Sequence, residues 1–301
     1  MKFKGVYPAM ATPLHPDETV DKAGMRNVVN YCIDAGVHGV LVLGSTGEFP
    51  AMTDAMRQDA IETVLDEVKG RVPVIIGCGD TGTKKTLEQV HVAEKTNADA
   101  ILVALPYYFP LDQAAVYRHF QIIADASTKP IVIYNFPQMT KIPVAPDTLG
   151  KLAAHPNIIG VKDSSNDYHN LHRYLELTAD EDFAVMSGSP VIGLGGYVSG
   201  AKGGIYAGGS LVPKLLVDVY EAWARGDIKA AAALQRKASL IPLMAQFGAN
   251  APVIKFGLSA LGICGPTVTA PLGLAAGQEE KIYAWMRSLG IEIGKTAAVS
   301  H

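Results

Sequence analysis

The sequence predicts an α/β protein, a single (β/α)8 barrel of the TIM type with a helical extension at its C-terminal end. Three observations lead there. Eight short apolar runs, rich in valine and isoleucine and bounded by glycine, proline, asparagine or aspartate, recur along the first two thirds of the 301 residues. Segments with helical spacing separate them, and alternating strands and helices build parallel sheets whose right-handed crossovers keep adding strands in one direction. The runs are continuously apolar and do not alternate, as parallel strands covered on both faces should be.

In order, the runs are "GVYPAMATP" at 5–13, "HGVLVLG" at 38–44, "VPVIIGCG" at 72–79, "ADAILVALP" at 98–106, "KPIVIYNFP" at 129–137, "IIGVKD" at 158–163, "FAVMSG" at 183–188 and "GGIYAG" at 203–208. Helical spacing is read at 25–35, 54–68, 83–95, 113–126 and 147–154. An open doubly wound sheet is the alternative, but it calls for a glycine fingerprint after the first strand. "PAMATPL" contains none. Beyond residue 208 the pattern is helical at 211–225, 228–247, 253–261 and 279–288. The expected division is therefore a barrel over 1–225 and a helical extension over 226–301 packed on it.

Composition narrows the function. With 49% hydrophobic and 18% charged residues and a formal charge of −3, the chain can bury a large core and offers no basic footprint for nucleic acid or an anionic membrane. Cys32, Cys78 and Cys264 are widely spaced and without C-x-x-C, against a disulfide framework or zinc site. Pro8 and Pro13 interrupt the apolar start and no 18-residue apolar run follows, so neither a signal peptide nor a membrane span is expected and a cytoplasmic location is.

In such barrels chemistry collects at the C-terminal ends of the strands. The second run ends in Gly44-Ser45-Thr46-Gly47-Glu48, the fourth in Pro106-Tyr107-Tyr108, the fifth in Tyr134-Asn135-Phe136-Pro137 and the sixth in Lys162-Asp163-Ser164. Strand parity puts Lys162 on the face of Gly160 and Ile158, with Gly160 expected to leave space beneath it and Asp163 pointing away. A neighbouring strand about 5 Å away brings the Tyr134 phenol near the amine. An amine, a phenol and hydroxyls suit Schiff-base chemistry. The neutral amine attacks a ketone, the phenol shuttles protons, and the iminium withdraws electrons from the adjacent carbon.

"GSTGE", "PYY", "YNFP" and "GVKD", in this order and spacing, resemble the dihydrodipicolinate synthase/N-acetylneuraminate lyase family of pyruvate-dependent lyases. The likeness runs from "ATPL" to the C-terminal helices. It implies a lysine Schiff base at Lys162 with pyruvate or another 2-oxo acid, a general acid/base at Tyr134, and carboxylate holding and proton relay by Ser45 and Thr46. It also implies that Tyr108 is lent across a tight dimer interface of a homotetramer. No cofactor and no metal are implied.

Departures from named branches bear on the substrate. In the lysine-biosynthesis branch an arginine after "YN-x-P" grips the aldehyde substrate's carboxylate; here "YNFPQMTK" places Met139 there, and Met cannot make a bidentate contact. Lys141 is a candidate substitute. Sialic acid lyases carry an acidic pair after the seventh strand, where this chain has Gly188-Ser189-Pro190. The remaining likeness is to 2-keto-3-deoxy sugar acid aldolases, which join pyruvate to a short hydroxyaldehyde; related dehydratases use the same imine. Gly47, Ser164, Ser189, Gln138, Thr140 and Tyr206 are the expected substrate-binding residues.

His169 and His172 stand at i, i+3 without a third ligand, which does not support a metal site. The glycines of 200–210 read as a tight closing turn, a phosphate loop being the alternative. A reading of another class is a non-catalytic sugar-acid sensor. Such a sensor has no need to retain lysine, phenol and hydroxyls together.

Overall fold

The computed structural model describes residues 3–293. Eight parallel strands, β1 Gly5–Pro8, β2 Val40–Val42, β3 Val74–Cys78, β4 Ala100–Ala104, β5 Ile131–Asn135, β6 Ile158–Asp163, β7 Ala184–Ser187 and β8 Gly203–Tyr206, pair in sequence order, with β8 returning to β1. A parallel bridge between Ala9 and Leu41, with the Met10 N–H donating to the Leu41 carbonyl at 2.9 Å, brings β1 to β2 and closes the ring. The fold is the (β/α)8 barrel the sequence predicts. Each strand core lies within its predicted run, and the outer residues of the runs are the loops above and below.

The helices between strands are α1 Lys22–Asp34, α2 Asp54–Val68, α3 Thr83–Glu94, α4 Gln113–Ala126, the short α5 Pro137–Thr140, α6 Pro146–Ala153, α7 Tyr168–Leu177 and α8 Gly193–Ser199. After β8 come α9 Pro213–Ala224, α10 Ile228–Ala238, α11 Asn250–Ala260 and α12 Glu279–Ser288. Side-chain caps start several of them, with Asp21, Thr53, Asp112, Asp167 and Asp227 accepting from first-turn N–H groups. The single helix expected at 228–247 is two pieces. It stops at Ala238, and a 3-10 stretch Ile241–Phe247 follows because Pro242 lacks the N–H that an α-helix needs. By contrast α11 starts before the expected 253, since Pro252 falls in its first turn where no N–H is required. Among the described residues no helix is long and apolar enough to cross a membrane.

The space expected beneath Lys162 is filled. A Cβ at Gly160 would lie 2.5 Å from the Ala184 carbonyl oxygen and 3.2 Å from the Phe3 ring, so this glycine admits the ring of Phe3, which meets Tyr7 edge-on at 5.4 Å. The glycines near β8 also serve close packing. Cβ atoms at Gly208 and Gly209 would run into Ile241 at 2.4 Å and Pro8 at 2.8 Å.

One strained turn sets the site's floor. Leu43, directly after β2, is buried in the left-handed region at φ 59°. A Leu pays for that conformation where the surroundings over-determine it. Here its carbonyl oxygen occupies the place of the missing Gly77 side chain, 2.1 Å from where a Cβ would stand. The chain then enters the 3-10 turn Ser45–Gly47, which turns its hydroxyls toward the barrel mouth.

Candidate active site

Register decides which side chains meet. Tyr134 on β5 stands opposite Lys162 on β6, and residues opposite one another in parallel neighbours share a face. The Lys162 Nζ lies 4.2 Å from the Tyr134 ring centroid, and both residues are buried. The Tyr134 hydroxyl shares a 3.3 Å hydrogen bond with Ser45 Oγ. A lysine, a phenol and a serine from three separate strand ends are thus in one constellation.

Burial dominates the electrostatics. Among the described residues no carboxylate pairs with Lys162, and desolvation pulls its amine down to about 7 from the ordinary 10.5. The Tyr134 ring face would favour the ammonium, but the cost of desolvating a charge wins. Burial pushes the Tyr134 phenol up to about 12, while the facing hydroxyls of Ser45 and Ser164 act in the opposite sense. The amine is therefore neutral for a large fraction of the time near neutral pH, and the phenol keeps its proton. That combination suits a nucleophile beside a proton donor.

Asp163 faces the helix layer. Its carboxylate accepts from Asn135 Nδ2 at 2.8 Å, the Ser165 N–H and Oγ at 3.1 and 2.9 Å, and Asn170 Nδ2 at 3.2 Å. Burial raises its pKa and these four bonds oppose the rise. Its work is to tie β5, β6 and α7 together on the helix side of the strands.

The hydroxyl loop is held from behind. Thr12 Oγ1 donates to the Gly47 carbonyl at 3.0 Å, and Thr46 is buried beside it. Above Lys162, Gly188 permits Ser164 to stand where it does, because a Cβ there would be 2.0 Å from Ser164 Oγ. Ser189 donates its hydroxyl to Asn166 Oδ1 at 2.6 Å, and exposed Gln138 donates from Nε2 to the Ser165 carbonyl at 2.6 Å. Gln138, Ser165, Asn166 and Ser189 make a neutral polar rim.

Two expected substrate contacts are corrected. Tyr206 lies on the outward face of β8, fully buried, with its hydroxyl 2.7 Å from that of Tyr197 on α8. It is opposite Pro8, one residue out of phase with the inward Tyr7–Ile205 pair, so it cannot line the mouth. Thr140 turns its hydroxyl into the loop, donating to the Ile142 and Phe136 carbonyls at 2.9 and 3.2 Å. Lys141 is a helix terminator at φ 62°, with Nζ donating to the Gln138 carbonyl at 2.8 Å. Met139 is exposed. Tyr108 stands 74% exposed against the edge of Phe109, apart from the buried constellation of its own chain. His172 Nε2 meets Ser199 Oγ at 3.1 Å.

Sequence reading missed Asn166 and the partner of Glu48. Asn166 adopts φ 60°, which asparagine tolerates better than most residues; the "SSND" cluster was the available signal. Glu48 meets Lys255 of α11 at 2.5 Å with both side chains wholly buried. A lone lysine in the apolar run "APVIKFGL" was the signal there.

Residues 2–285 match the model of the dihydrodipicolinate synthetase family. The chain belongs to this family. Its members are class I pyruvate-dependent lyases and aldolases, and this protein is an enzyme of that type. A 4-hydroxy-tetrahydrodipicolinate synthase of Methanopyrus kandleri is 38% identical over 275 residues, 90% of this chain and 91% of that one. The Escherichia coli protein named "Probable 2-dehydro-3-deoxy-D-pentonate aldolase YjhH" is 33% identical over 298 residues, 96% of this chain and 98% of that one. The crystal structure of YagE from Escherichia coli K12, in complex with pyruvate, superposes with a TM-score of 0.92 at 31% identity, covering 96% of this chain and 99% of YagE.

For this family member, Tyr134→Phe should leave borohydride-trapped pyruvate on Lys162 near wild-type stoichiometry. It should slow the exchange of pyruvate's methyl protons in D2O by ~10²–10⁴-fold, the usual share of a positioned proton donor. Proton NMR reads the exchange and mass spectrometry the adduct. Undiminished exchange would remove the phenol from the proton path.

Proposed function

We propose that the protein cleaves and forms the carbon–carbon bond between pyruvate and a short hydroxyaldehyde, as a 2-keto-3-deoxy sugar acid aldolase. The observation that carries the reading is the neutral rim above Lys162. Met139 on α5 has no charge, and Lys141, which ends that helix, is exposed with its ammonium turned to the Gln138 carbonyl at 2.8 Å. Ser189, Asn166 and Gln138 offer neutral groups that suit hydroxyls.

In the proposed cycle the Lys162 amine attacks the keto carbon of the substrate, and Tyr134 protonates the departing hydroxyl to leave an iminium. The Tyr134 phenolate left by that step takes the proton of the C4 hydroxyl, the C3–C4 bond breaks with its electron pair moving into the enamine, and the aldehyde leaves. Reprotonation at C3 and hydrolysis of the imine release pyruvate and free the amine. Ser45 and Thr46 hold the carboxylate and relay protons.

A panel assay tests the substrate. Pyruvate release from 2-keto-3-deoxygluconate, its galacto epimer or a 2-keto-3-deoxypentonate should exceed release from N-acetylneuraminate by at least about 10²-fold, the lower end of what pocket contacts achieve in telling substrates apart. Condensation of pyruvate with aspartate semialdehyde should be similarly weak. Fastest condensation with the semialdehyde would instead favour the activity in the name of the Methanopyrus kandleri relative. Loss of water without pyruvate release would make the enzyme a dehydratase.

The exposed Tyr108 supports a site completed by a second copy of the chain, within a homotetramer. Mixing inactive Tyr108→Phe with inactive Lys162→Ala under conditions of verified subunit exchange should restore about a quarter of wild-type activity, since each mixed site pair gains one intact site from complementary chains. No recovery would confine Tyr108 to its own chain or remove it from the chemistry.

A further inference from the structure

The mechanism uses Ser45 but leaves unexplained an ion pair whose two side chains are wholly buried. Glu48 closes the turn that begins at Ser45, in the left-handed region at φ 61°, and its backbone N–H donates to the Ser45 carbonyl at 3.1 Å. Its carboxylate points away from Lys162 into the C-terminal segment. There Oε1 meets Lys255 Nζ at 2.5 Å, and Oε2 accepts from the Thr269 N–H at 2.7 Å and from Thr269 Oγ1 at 2.8 Å. Lys255 Nζ also donates to the Thr267 carbonyl at 2.7 Å. Glu48, Lys255 and Thr269 are each at most 2% exposed.

Such a cluster is poorly explained as a source of stability. Desolvating two charges costs about what their attraction returns, and apolar replacements of buried pairs are often neutral or stabilising. What an ion pair adds over an apolar contact is direction. Three donors converge on one carboxylate and hold one residue in an unfavourable backbone region.

We propose that Glu48, Lys255 and Thr269 are positioning residues, which hold the Ser45 hydroxyl at the Tyr134 phenol from the C-terminal segment. The path is continuous: Thr269 and Lys255 fix the Glu48 carboxylate, the Glu48 N–H fixes the Ser45 carbonyl, and Ser45 Oγ meets Tyr134 at 3.3 Å. Thr12 on Gly47 and Arg57, which donates to the Phe49 carbonyl at 3.1 Å, hold the same turn from other sides. Loosening the carboxylate therefore weakens the proton relay without abolishing the turn. Helix α11 and the loop that follows it are in this way part of the active-site apparatus. The inference rests on the reading of Lys162, Tyr134 and Ser45 given above.

A double-mutant comparison tests it, read by methyl proton exchange of pyruvate in D2O, which needs no aldehyde. Thr269→Val removes one donor to Glu48 and leaves its charge partner. The neutralised pair Glu48→Gln with Lys255→Met avoids a stranded charge and serves as a second variant should the first fold poorly. In the wild-type background each should slow exchange roughly tenfold, a loss typical of a small misplacement of a reacting group. In a Ser45→Ala background the same changes should cost less than about twofold, because groups acting through one another are not additive. The stoichiometry of borohydride trapping at Lys162, read once imine formation has reached equilibrium, should stay within about twofold of the parent throughout, since a proton relay changes rates and not the position of that equilibrium. Losses that multiply equally in both backgrounds, or no loss from either variant, would overturn the proposal and leave the site intact. If Ser45→Ala alone left exchange unchanged, the role of Ser45 would fall and the inference with it.

Discussion

An amine held out of water at the end of β6 is the constraint around which the rest of this molecule is arranged. With the folded pKa near 7 and the ordinary value at 10.5, the unfolded chain binds the extra proton between those limits. Stability should rise with pH across that window, and below it the fold bears the full cost of a buried ammonium. The barrel tolerates the cost because the lysine's stem lies among strands that pack on both faces. Asp163, which a looser geometry would offer as a counter-ion, is turned outward and saturated with four donors. With the carboxylate on the other face of β6, burial alone sets the lowered basicity of the amine.

Everything near the amine then follows from backbone position. Tyr134 is beside it because β5 and β6 pair with those residues opposite. Ser45 is beside Tyr134 because a left-handed Leu43, seated over a glycine, redirects the chain after β2. Lys162, Tyr134 and Ser45 come from three strand ends joined by helices, so no short segment carries the candidate site. A carboxylate anchored in the C-terminal segment reaches the same turn from behind, which connects residues far apart in sequence to a single hydrogen bond.

The barrel was legible because buried parallel strands are continuously apolar and their helices are long enough to show their period. Lys162, Tyr134 and Ser45 were legible for a related reason: they interrupt apolar runs at strand ends, and parity assigns their faces. Tyr206 was misplaced where parity counts from a strand whose inward residue was not fixed. Its outward tyrosine satisfies its hydroxyl on α8, as large aromatics commonly do. Thr140 was misread because a hydroxyl on the last residue of a very short helix bonds nearby backbone carbonyls, here those of Phe136 and Ile142. The short helices α5 and α8 contain too few turns to reveal a period. Glu48 and Lys255 were quoted or passed over without each other, since only the tertiary fold brings together residues so widely separated in sequence.

The most direct measurement is the pKa of the Lys162 amine. The rate of imine formation with pyruvate can be followed from pH 5 to 10 by rapid borohydride quench and mass spectrometry of the Lys162 peptide, with the Tyr134→Phe variant as a control for proton-transfer steps. Because only the neutral amine attacks, the rate should rise with pH and level off above an inflection near 7. A rate that keeps climbing toward about 10.4, the value of a solvated lysine, would mean that the amine is not desolvated in the working protein and would contradict the account.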